Sequence, residues 1–246
     1  QEFLNYVTVS PVLDWIGRFT EDTRASGAAR LGLKLHLPLS HLADAKVQGS
    51  LQLQGNEVTL FPDLPPLQAS VGKIECNEHG VNLTGVGGSF LGGPLAVTGG
   101  SLRDNSIVIK LAGAVTGEGL RRQYPAPAMQ SVIGKVTGST RFTGAVVVKD
   151  HQAQVTVDSA MNGIALDFPA PLNKAEADSM PLHFTLATLA AEKGVARDDV
   201  RLTLGSTIAA HYLRQKTGHG PWTVQRGGVG VNLPPPEPDS GMMVNV

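Results

Sequence analysis

The sequence has few residues of several types, and each scarcity excludes a structural feature or a class of binding partner. Aromatic residues make up 5% and charged residues 17% of the 246 positions, and Cys76 is the single cysteine. One cysteine excludes an internal disulfide. The 20 basic and 21 acidic residues nearly cancel, which removes the strong field that would recruit nucleic acid or an anionic membrane surface. No run of about 18 apolar residues occurs, so we expect no helix that spans a bilayer.

Hydrophobic residues nevertheless reach 41%, and 29 glycines and 16 prolines accompany them. From Leu31 onward apolar residues alternate with polar ones, and this period of two recurs as far as Val224. Such alternation predicts half-buried strands. Because short turns such as residues 103–105 separate the runs, the sequence predicts an all-β antiparallel meander of about fifteen strands. Among these turns, Gly55-Asn56 predicts a hairpin.

Few helices are predicted to cover these strands. Residues 10–19 are the best candidate, because Ser10 can cap the first amides and Pro11 suits the first helical position. Two shorter helices are predicted at Gly117–Gln123 and at residues 189–193. One-sided strands that lack covering helices must bury their apolar face in another way.

Three stretches run from an apolar strand into prolines: residues 58–67, 166–174 and 229–236. Proline fixes φ and removes a ladder donor, so each stretch predicts a strand that leaves its sheet at a defined place. Their uneven spacing argues against a short-period solenoid.

Two arrangements remain open for the apolar faces. The sheets can close on each other as a β-sandwich, which serves as a scaffold or a protein-interaction module. Alternatively, one long curved sheet can leave an apolar trough that binds something apolar, such as lipid. Periodicity alone does not choose between them, although most alternating sheets close.

No catalytic residue, metal site or cofactor site is predicted. The seven histidines are scattered and lack the spacing of metal ligands. Cys76 and His79 are close in sequence, which keeps a hydrolase as a third hypothesis, but Cys76 is in phase with Ile74 on an apolar face and is better interpreted as a buried thiol. The glycine-rich residues 85–94 match no nucleotide-binding or nucleophile motif, and they predict a bulged strand with a tight turn.

An ordered set of motifs carries a resemblance. It comprises GSLQL at 49–53, LFPDLPPL at 60–67, GKI at 72–74, LGGP at 91–94, LDFPAPLNK at 166–174 and RGGVGVN at 226–232. In this order, over almost the whole chain, the set resembles the AsmA-like family, and within it the YhdP branch.

The resemblance implies a large envelope protein of Gram-negative bacteria that is anchored in the inner membrane by an N-terminal helix. It also implies a periplasmic β-sheet with a taco-like cross-section, whose apolar interior carries phospholipid towards the outer membrane. This chain would be a non-enzymatic internal slice of that sheet, without cofactor. Its partners would be phospholipid acyl chains and possible envelope proteins.

Within the slice we expect three repeat-like units, at residues 28–115, 132–190 and 198–246. The inward face of each strand is not determined by the sequence. The residues that we expect to line the groove are Leu33, Leu35, Leu51, Leu53, Val58, Leu60, Ile107, Ile109, Leu111, Val146, Val148, Val155, Val157, Ile164, Leu166, Leu182, Phe184, Leu202 and Leu204.

Overall fold

The computed structural model describes residues 23–36, 46–60, 64–77, 80–150, 152–192, 194–218 and 220–246. The predicted helix at residues 10–19 lies outside this part of the chain. Two short helices are described, α1 (Gly117–Gln123) and α2 (Pro127–Ile133). The described strands are β1 (Arg24–Ser26), β2 (Ala29–His36), β3 (Lys46–Thr59), β4 (Leu67–Asn77), β5 (Gly80–Phe90), β6 (Gly93–Ser101), β7 (Ile107–Thr116), β8 (Val136–Lys149), β9 (Gln152–Ser159), β10 (Ile164–Leu166), β11 (Leu182–Glu192), β12 (Val195–Leu204), β13 (Ile208–Thr217), β14 (Thr223–Val231) and β15 (Gly241–Asn245).

The chain divides into two units. The first holds Gln1–Ala114 and Val147–His151, and the second holds Val115–Val146 and Gln152–Val246. In the first unit β1 and β2 share one edge of β3, and β4, β5, β6 and β7 follow in chain order, each antiparallel to the one before it. The three repeat-like units expected from the sequence stay a prediction.

The second unit is also a succession of antiparallel strands, but its last strand pairs in parallel. Strands β9, β11, β12, β13 and β14 pair in that order, all antiparallel, while β10 pairs with β8. Strand β15 pairs with β14 in parallel, whereas the alternation of the sequence predicts antiparallel pairing. The segment between them passes close to the sheet, because a Cβ on Gly228 would collide with the backbone of Pro236.

The all-β class and the predominantly antiparallel order are confirmed. Within each unit the described strands follow one another in an open succession that does not close, as the predicted meander requires. Strands β10 and β14 end before Pro169 and Pro234, where two of the proline-rich stretches predict that the strands leave the sheet.

The predicted hairpin at Gly55-Asn56 is wrong. Strand β3 runs through both residues, and its register with β4 shifts there, which marks a β-bulge. Gly55 has a φ of 82°, a conformation that glycine adopts without a steric penalty. The Asn56 side chain stabilises the bulge, because its Oδ1 accepts from Gln54 N at 2.8 Å and its Nδ2 donates to Ser26 O at 3.0 Å.

The helix predicted at residues 189–193 is also wrong. Strand β11 continues to Glu192, and its pairing with β12 aligns Leu189 with Arg197 and Glu192 with Val195. Cross-strand pairing therefore overrides the local helix propensity of Leu-Ala-Ala-Glu. Helix α1 is confirmed, with Thr116 Oγ1 accepting from Gly119 N at 2.9 Å as its N-cap. Helix α2, which has proline in its first turn and is followed by Gly134, was not predicted.

The stretch from Leu166 to Lys174 leaves the sheet and returns to it. The backbones of Leu166 and Lys174 exchange hydrogen bonds of 2.9 and 3.0 Å around a loop that contains a cis Ala170–Pro171 bond. The side chain of Lys174 is buried, and its Nζ donates to Ile164 O at 2.6 Å and to Ala175 O at 2.9 Å. The lysine that ends this motif therefore holds the loop against β10.

Candidate functional site

Strand register decides which face of the first unit is apolar. Residues directly opposite each other in paired strands lie on the same face of a sheet. One such row crosses six strands and consists of Leu31, Leu51, Ile74, Leu83, Gly99 and Ile109. The adjacent row on the other face holds Arg30, Gln52, Lys73 and Thr84. The unit therefore has one aliphatic face and one polar face.

Exposure changes along this aliphatic face. Leu53 and Ile109 are buried at 5% and 9% exposure, whereas Leu31 and Leu33 on β2 are 45% and 41% exposed. Ile74 and Leu83 between them are half-buried. The aliphatic face is thus accessible at the β2 side, where large apolar side chains meet solvent.

The second unit has an equivalent aliphatic face. One row aligns Val155, Leu186, Val200, Tyr212 and Gly227, and the next aligns Val157, Phe184, Leu202, Ala210 and Val229. Val200 is 2% exposed. The opposite face carries Thr156, Thr185, Arg201 and His211 in register.

The register brings most of the predicted lining residues together within their own unit. Leu33, Leu51, Leu53, Ile107, Ile109 and Leu111 share the aliphatic face of the first unit, and Val155, Val157, Leu182, Phe184, Leu202 and Leu204 share that of the second. Val58 lies after the bulge at Asn56 and on the aliphatic face of the first unit, and Leu60 lies just beyond the end of β3. Contact of these residues with lipid stays a prediction.

The remaining predicted residues are placed differently. Val146 and Val148 are buried on alternate positions of β8, and Ile164 and Leu166 are buried on the short strand β10, outside the two rows of the second unit. The side chain of Leu35 lies outside the described part of the structure. The prediction omitted Ile74, Leu83 and Val200, although their alternation with polar neighbours was the signal that found the others.

One charged cluster interrupts the aliphatic face of the second unit. Asp198 and Arg214 are paired across β12 and β13, in phase with Val200 and Tyr212. Asp198 Oδ2 accepts from Arg214 Nε and Nη2, both at 3.0 Å, and the guanidinium lies 4.5 Å from the ring centroid of Trp222.

A polar cleft of about 710 Å³ lies in the first unit, at the ends of β2 to β5. Charged and amide side chains form part of its lining, and Lys73 Nζ and Glu75 Oε1 form an ion pair of 2.5 Å within it. This lining includes Lys34, Gln48, Ser50, Lys73, Glu75 and Asn82. Leu33, Cys76 and Val81 of the aliphatic face also line this cleft, so it is a place where the aliphatic face meets charged and amide side chains.

The candidate nucleophile Cys76 has an unfavourable environment for catalysis. It is half-buried and opposite Gly49 on the aliphatic face, and burial raises the pKa of its thiol although a hydrogen bond with the Gly49 backbone opposes this shift. A raised pKa keeps the thiol protonated and unreactive at neutral pH. Its proposed partner His79 lies outside the described residues.

Two histidines are paired with carboxylates on the polar face of the second unit. His183 Nδ1 lies 2.6 Å from Asp158 Oδ1, and His211 Nε2 lies 3.1 Å from Asp199 Oδ2. Partial burial acts to raise the pKa of Asp199, but hydrogen bonds from Arg201 and His211 outweigh it and lower that pKa. Among the described residues, no group of three or more His, Cys, Asp or Glu side chains could hold a metal ion. Neither described helix is long and apolar enough to cross a membrane.

Comparison with known proteins agrees with the motif resemblance. The family model described as YhdP protein matches residues 1–246, which is the whole chain. No curated protein and no solved structure matches the chain.

Proposed function

The chain belongs to the YhdP family, and from this premise we propose that its aliphatic faces bind the acyl chains of phospholipids. Membership indicates an envelope protein connected with lipid transport. In the proposal, the chain is a non-enzymatic periplasmic part of a protein anchored in the inner membrane. It helps to move lipid towards the outer membrane and so maintains the outer-membrane barrier.

The observation that carries the proposal is the aliphatic row of the first unit, which runs in register from Leu31 on β2 to Ile109 on β7. Leucine, isoleucine and valine side chains offer no directional bonds, so an acyl chain can slide over them. Each buried CH₂ group contributes about 0.8 kcal/mol. A few methylene contacts therefore hold a lipid by several kcal/mol without fixing it in one position.

The exposure of the Leu31 and Leu33 side chains supports a bound ligand rather than a filled core. Large apolar side chains that remain 45% and 41% exposed on one continuous face are typical of a surface that another apolar molecule covers. The protonated state of the Cys76 thiol supports a non-catalytic role.

A substitution at an exposed position tests lipid binding without removing the buried core. We expect Leu33→Asp to fold, because its side chain is already in contact with solvent, and to lose at least tenfold in affinity for phospholipid. The loss of two acyl CH₂ contacts, at about 0.8 kcal/mol each, accounts for that factor. Native mass spectrometry of the purified chain, followed by organic extraction, measures the bound lipid and identifies its class.

Val71→Asp is the matched control. Val71 is 52% exposed and lies opposite Gln54 and Gly87 on the polar face of β4. It should leave lipid binding unchanged. Equal lipid content in the two variants would overturn the proposal, as would a chain that carries and binds no phospholipid at all.

A further inference from the structure

The polar cleft of the first unit brings charges of both signs together. Lys34 on β2 and Lys73 and Glu75 on β4 line it, all in phase with the polar face. Its volume of about 710 Å³ is within the range of clefts that bind small molecules. A cleft that offers cations and an anion side by side suits a ligand that is itself a zwitterion.

Strand register places the Glu75 carboxylate among small and amide side chains. Gly32, Ser50, Glu75 and Asn82 are aligned across β2, β3, β4 and β5. A Cβ on Gly32 would lie 2.8 Å from Ser50 Oγ, so the glycine leaves space beside that hydroxyl. The row therefore combines room for a ligand with an anionic group, a hydroxyl and an amide that can form hydrogen bonds to it.

The ion pair in the cleft can bind a further group. The side chains of Lys73 and Glu75 are 43% and 45% exposed, and Glu75 Oε1 makes the contact between them. An ammonium has three protons and a carboxylate has two acceptor oxygens, so one contact does not exhaust either group. A ligand with an ammonium and a phosphate can therefore bind across the pair, with its cation at Glu75 and its anion at Lys73, and leave neither charge without a counter-charge.

The cleft reaches the aliphatic face at β2. Leu33 lines the cleft and is 41% exposed, and Leu31, two residues earlier on the same face, is 45% exposed. Among the described strands β2 pairs only with β3, so no described strand covers its other edge. Neighbouring strands are roughly 4.8 Å apart, a width that a glycerol backbone can span. One ligand can thus place a polar headgroup in the cleft and an apolar chain on these leucines.

We propose that the cleft binds the headgroup of a zwitterionic phospholipid with a primary ammonium, such as phosphatidylethanolamine, whose acyl chains lie on Leu31 and Leu33. The ammonium donates to Glu75, and the phosphate accepts from Lys34 and Lys73. Hydrogen bonds between charged groups are stronger than those between neutral groups. This site rests on the proposed function, because it recognises the headgroup of the lipid whose acyl chains the aliphatic face binds.

Four ligands separate headgroup recognition from acyl-chain binding. The purified chain is titrated with dioctanoylphosphatidylethanolamine, with dioctanoylphosphatidylglycerol, which lacks the ammonium, and with dioctanoylglycerol, which lacks the whole headgroup. Glycerophosphoethanolamine, which lacks the acyl chains, is the fourth. Native mass spectrometry measures the bound ligand. We expect at least a tenfold preference for the ethanolamine lipid over the glycerol lipid, since a hydrogen bond to a charged group is worth this factor. Glycerophosphoethanolamine should bind at least tenfold more weakly than the ethanolamine lipid.

Two variants test the assigned contacts, and both leave the exposed leucines in place. Glu75→Gln should reduce the preference for the ethanolamine lipid to about threefold or less, because the ammonium loses its anionic partner. Lys34→Gln retains the Lys73–Glu75 pair and should weaken the binding of both phospholipids at least threefold. Neither variant should change the affinity for dioctanoylglycerol. The control is Glu118→Gln, which makes the same change at a side chain of the second unit that is 72% exposed, and it should keep the preference of the unmodified chain.

The outcomes distinguish this site from the function on which it rests. If the unmodified chain binds the three lipids equally, the headgroup site is wrong and acyl-chain binding stands. A preference that survives in Glu75→Gln would show that the cleft does not bind the ammonium. If glycerophosphoethanolamine binds as tightly as the lipid, the acyl chains do not lie on Leu31 and Leu33 when the cleft is occupied, and the proposal is wrong. A chain that binds none of the lipids overturns the proposed function and this site together.

Discussion

Asp198 and Asp199 are consecutive residues of β12 whose carboxylates lie on opposite faces of the sheet. Asp198 pairs with Arg214 beside Trp222 on the aliphatic face, whereas Asp199 accepts hydrogen bonds from Arg201 Nε at 3.0 Å and lies 3.1 Å from His211 Nε2 on the polar face. The two aspartates are the same residue type at adjacent positions, but their different surroundings decide what each contributes.

The first prediction compares these two residues. Asp198→Asn removes the carboxylate charge that pairs with the half-buried Arg214 guanidinium, which should reduce the free energy of unfolding by about 3 kcal/mol. Asp199→Asn weakens an ion pair with a largely exposed arginine, which should cost about 1 kcal/mol or less. Urea denaturation followed by circular dichroism measures both. Equal losses of unfolding free energy in the two variants would contradict the placement of Asp198 on the aliphatic face.

The second prediction concerns the bulge in β3. Asn56 is 2% exposed and bonds the backbones of Gln54 and Ser26 through its side chain. Asn56→Ala leaves these two backbone groups without partners and should destabilise the chain by about 2 kcal/mol. Asn82→Ala is the control, since Asn82 is exposed and its bond to Thr84 is 3.3 Å long; it should change the unfolding midpoint little.

The third prediction concerns the turn between β6 and β7. The pKa of Asp104 is lowered to about 2, chiefly because Ser106 Oγ donates to its carboxylate at 2.6 Å; the Ser106 amide and Lys149 lower it further. Ser106→Ala should therefore raise this pKa towards the ordinary 3.8 more than Lys149→Gln does. A carboxyl ¹³C titration by NMR measures the shift in each variant, and a larger effect of Lys149→Gln would contradict the assigned cause.

The same residue predicts the direction of a pH effect on stability. Because folding lowers the pKa of Asp104, its contribution is fully present above the unfolded pKa near 3.8 and disappears as the pH falls towards about 2. The difference in stability between the unmodified chain and Asp104→Asn should therefore be constant at neutral pH and narrow below about pH 4. A difference that grows on acidification would have the wrong sign.

The fourth prediction tests the loop that follows β10. Lys174→Met removes the two hydrogen bonds that Nζ donates to Ile164 O and Ala175 O in a buried position. We expect a loss of about 2 kcal/mol in the free energy of unfolding, since buried carbonyls lose their partner. Lys149→Met, at a side chain that is 58% exposed, should cost less than half as much. Similar losses of unfolding free energy for Lys174→Met and Lys149→Met would contradict the conclusion that Lys174 holds the loop against β10.

The alternation of apolar and polar residues predicted the strands correctly where the period of two is regular. The alternation at Leu31, Leu33, Leu51 and Leu53 predicted half-buried strands, and those strands are present in β2 and β3. It failed at Gly55-Asn56 because the same two residues suit a hairpin and a bulge. Only the neighbouring strands, which bond to the Asn56 side chain and pair on both sides of it, decide between the two.

The pairing partner also decided two elements that local sequence could not. Residues 189–193 have the composition of a helix, yet β12 lies alongside and supplies the hydrogen bonds of a strand. The parallel return of β15 beside β14 depends on a crossing segment that fits over Gly228, and no periodicity within β15 indicates its direction.

By itself the sequence determined the all-β class, the large number of strands with one apolar face, and the family. The period of two indicates the strands, the prolines indicate where strands leave the sheet, and the ordered motifs indicate the family. Tertiary structure decided which side chains share a face. Register across five or more strands is set by bulges and long-range pairing, and a shift of one residue would turn every side chain to the other side. The alignment of Leu31 with Ile109 across the first unit, and of Asp198 with Arg214 in the second, exists only in the folded sheet.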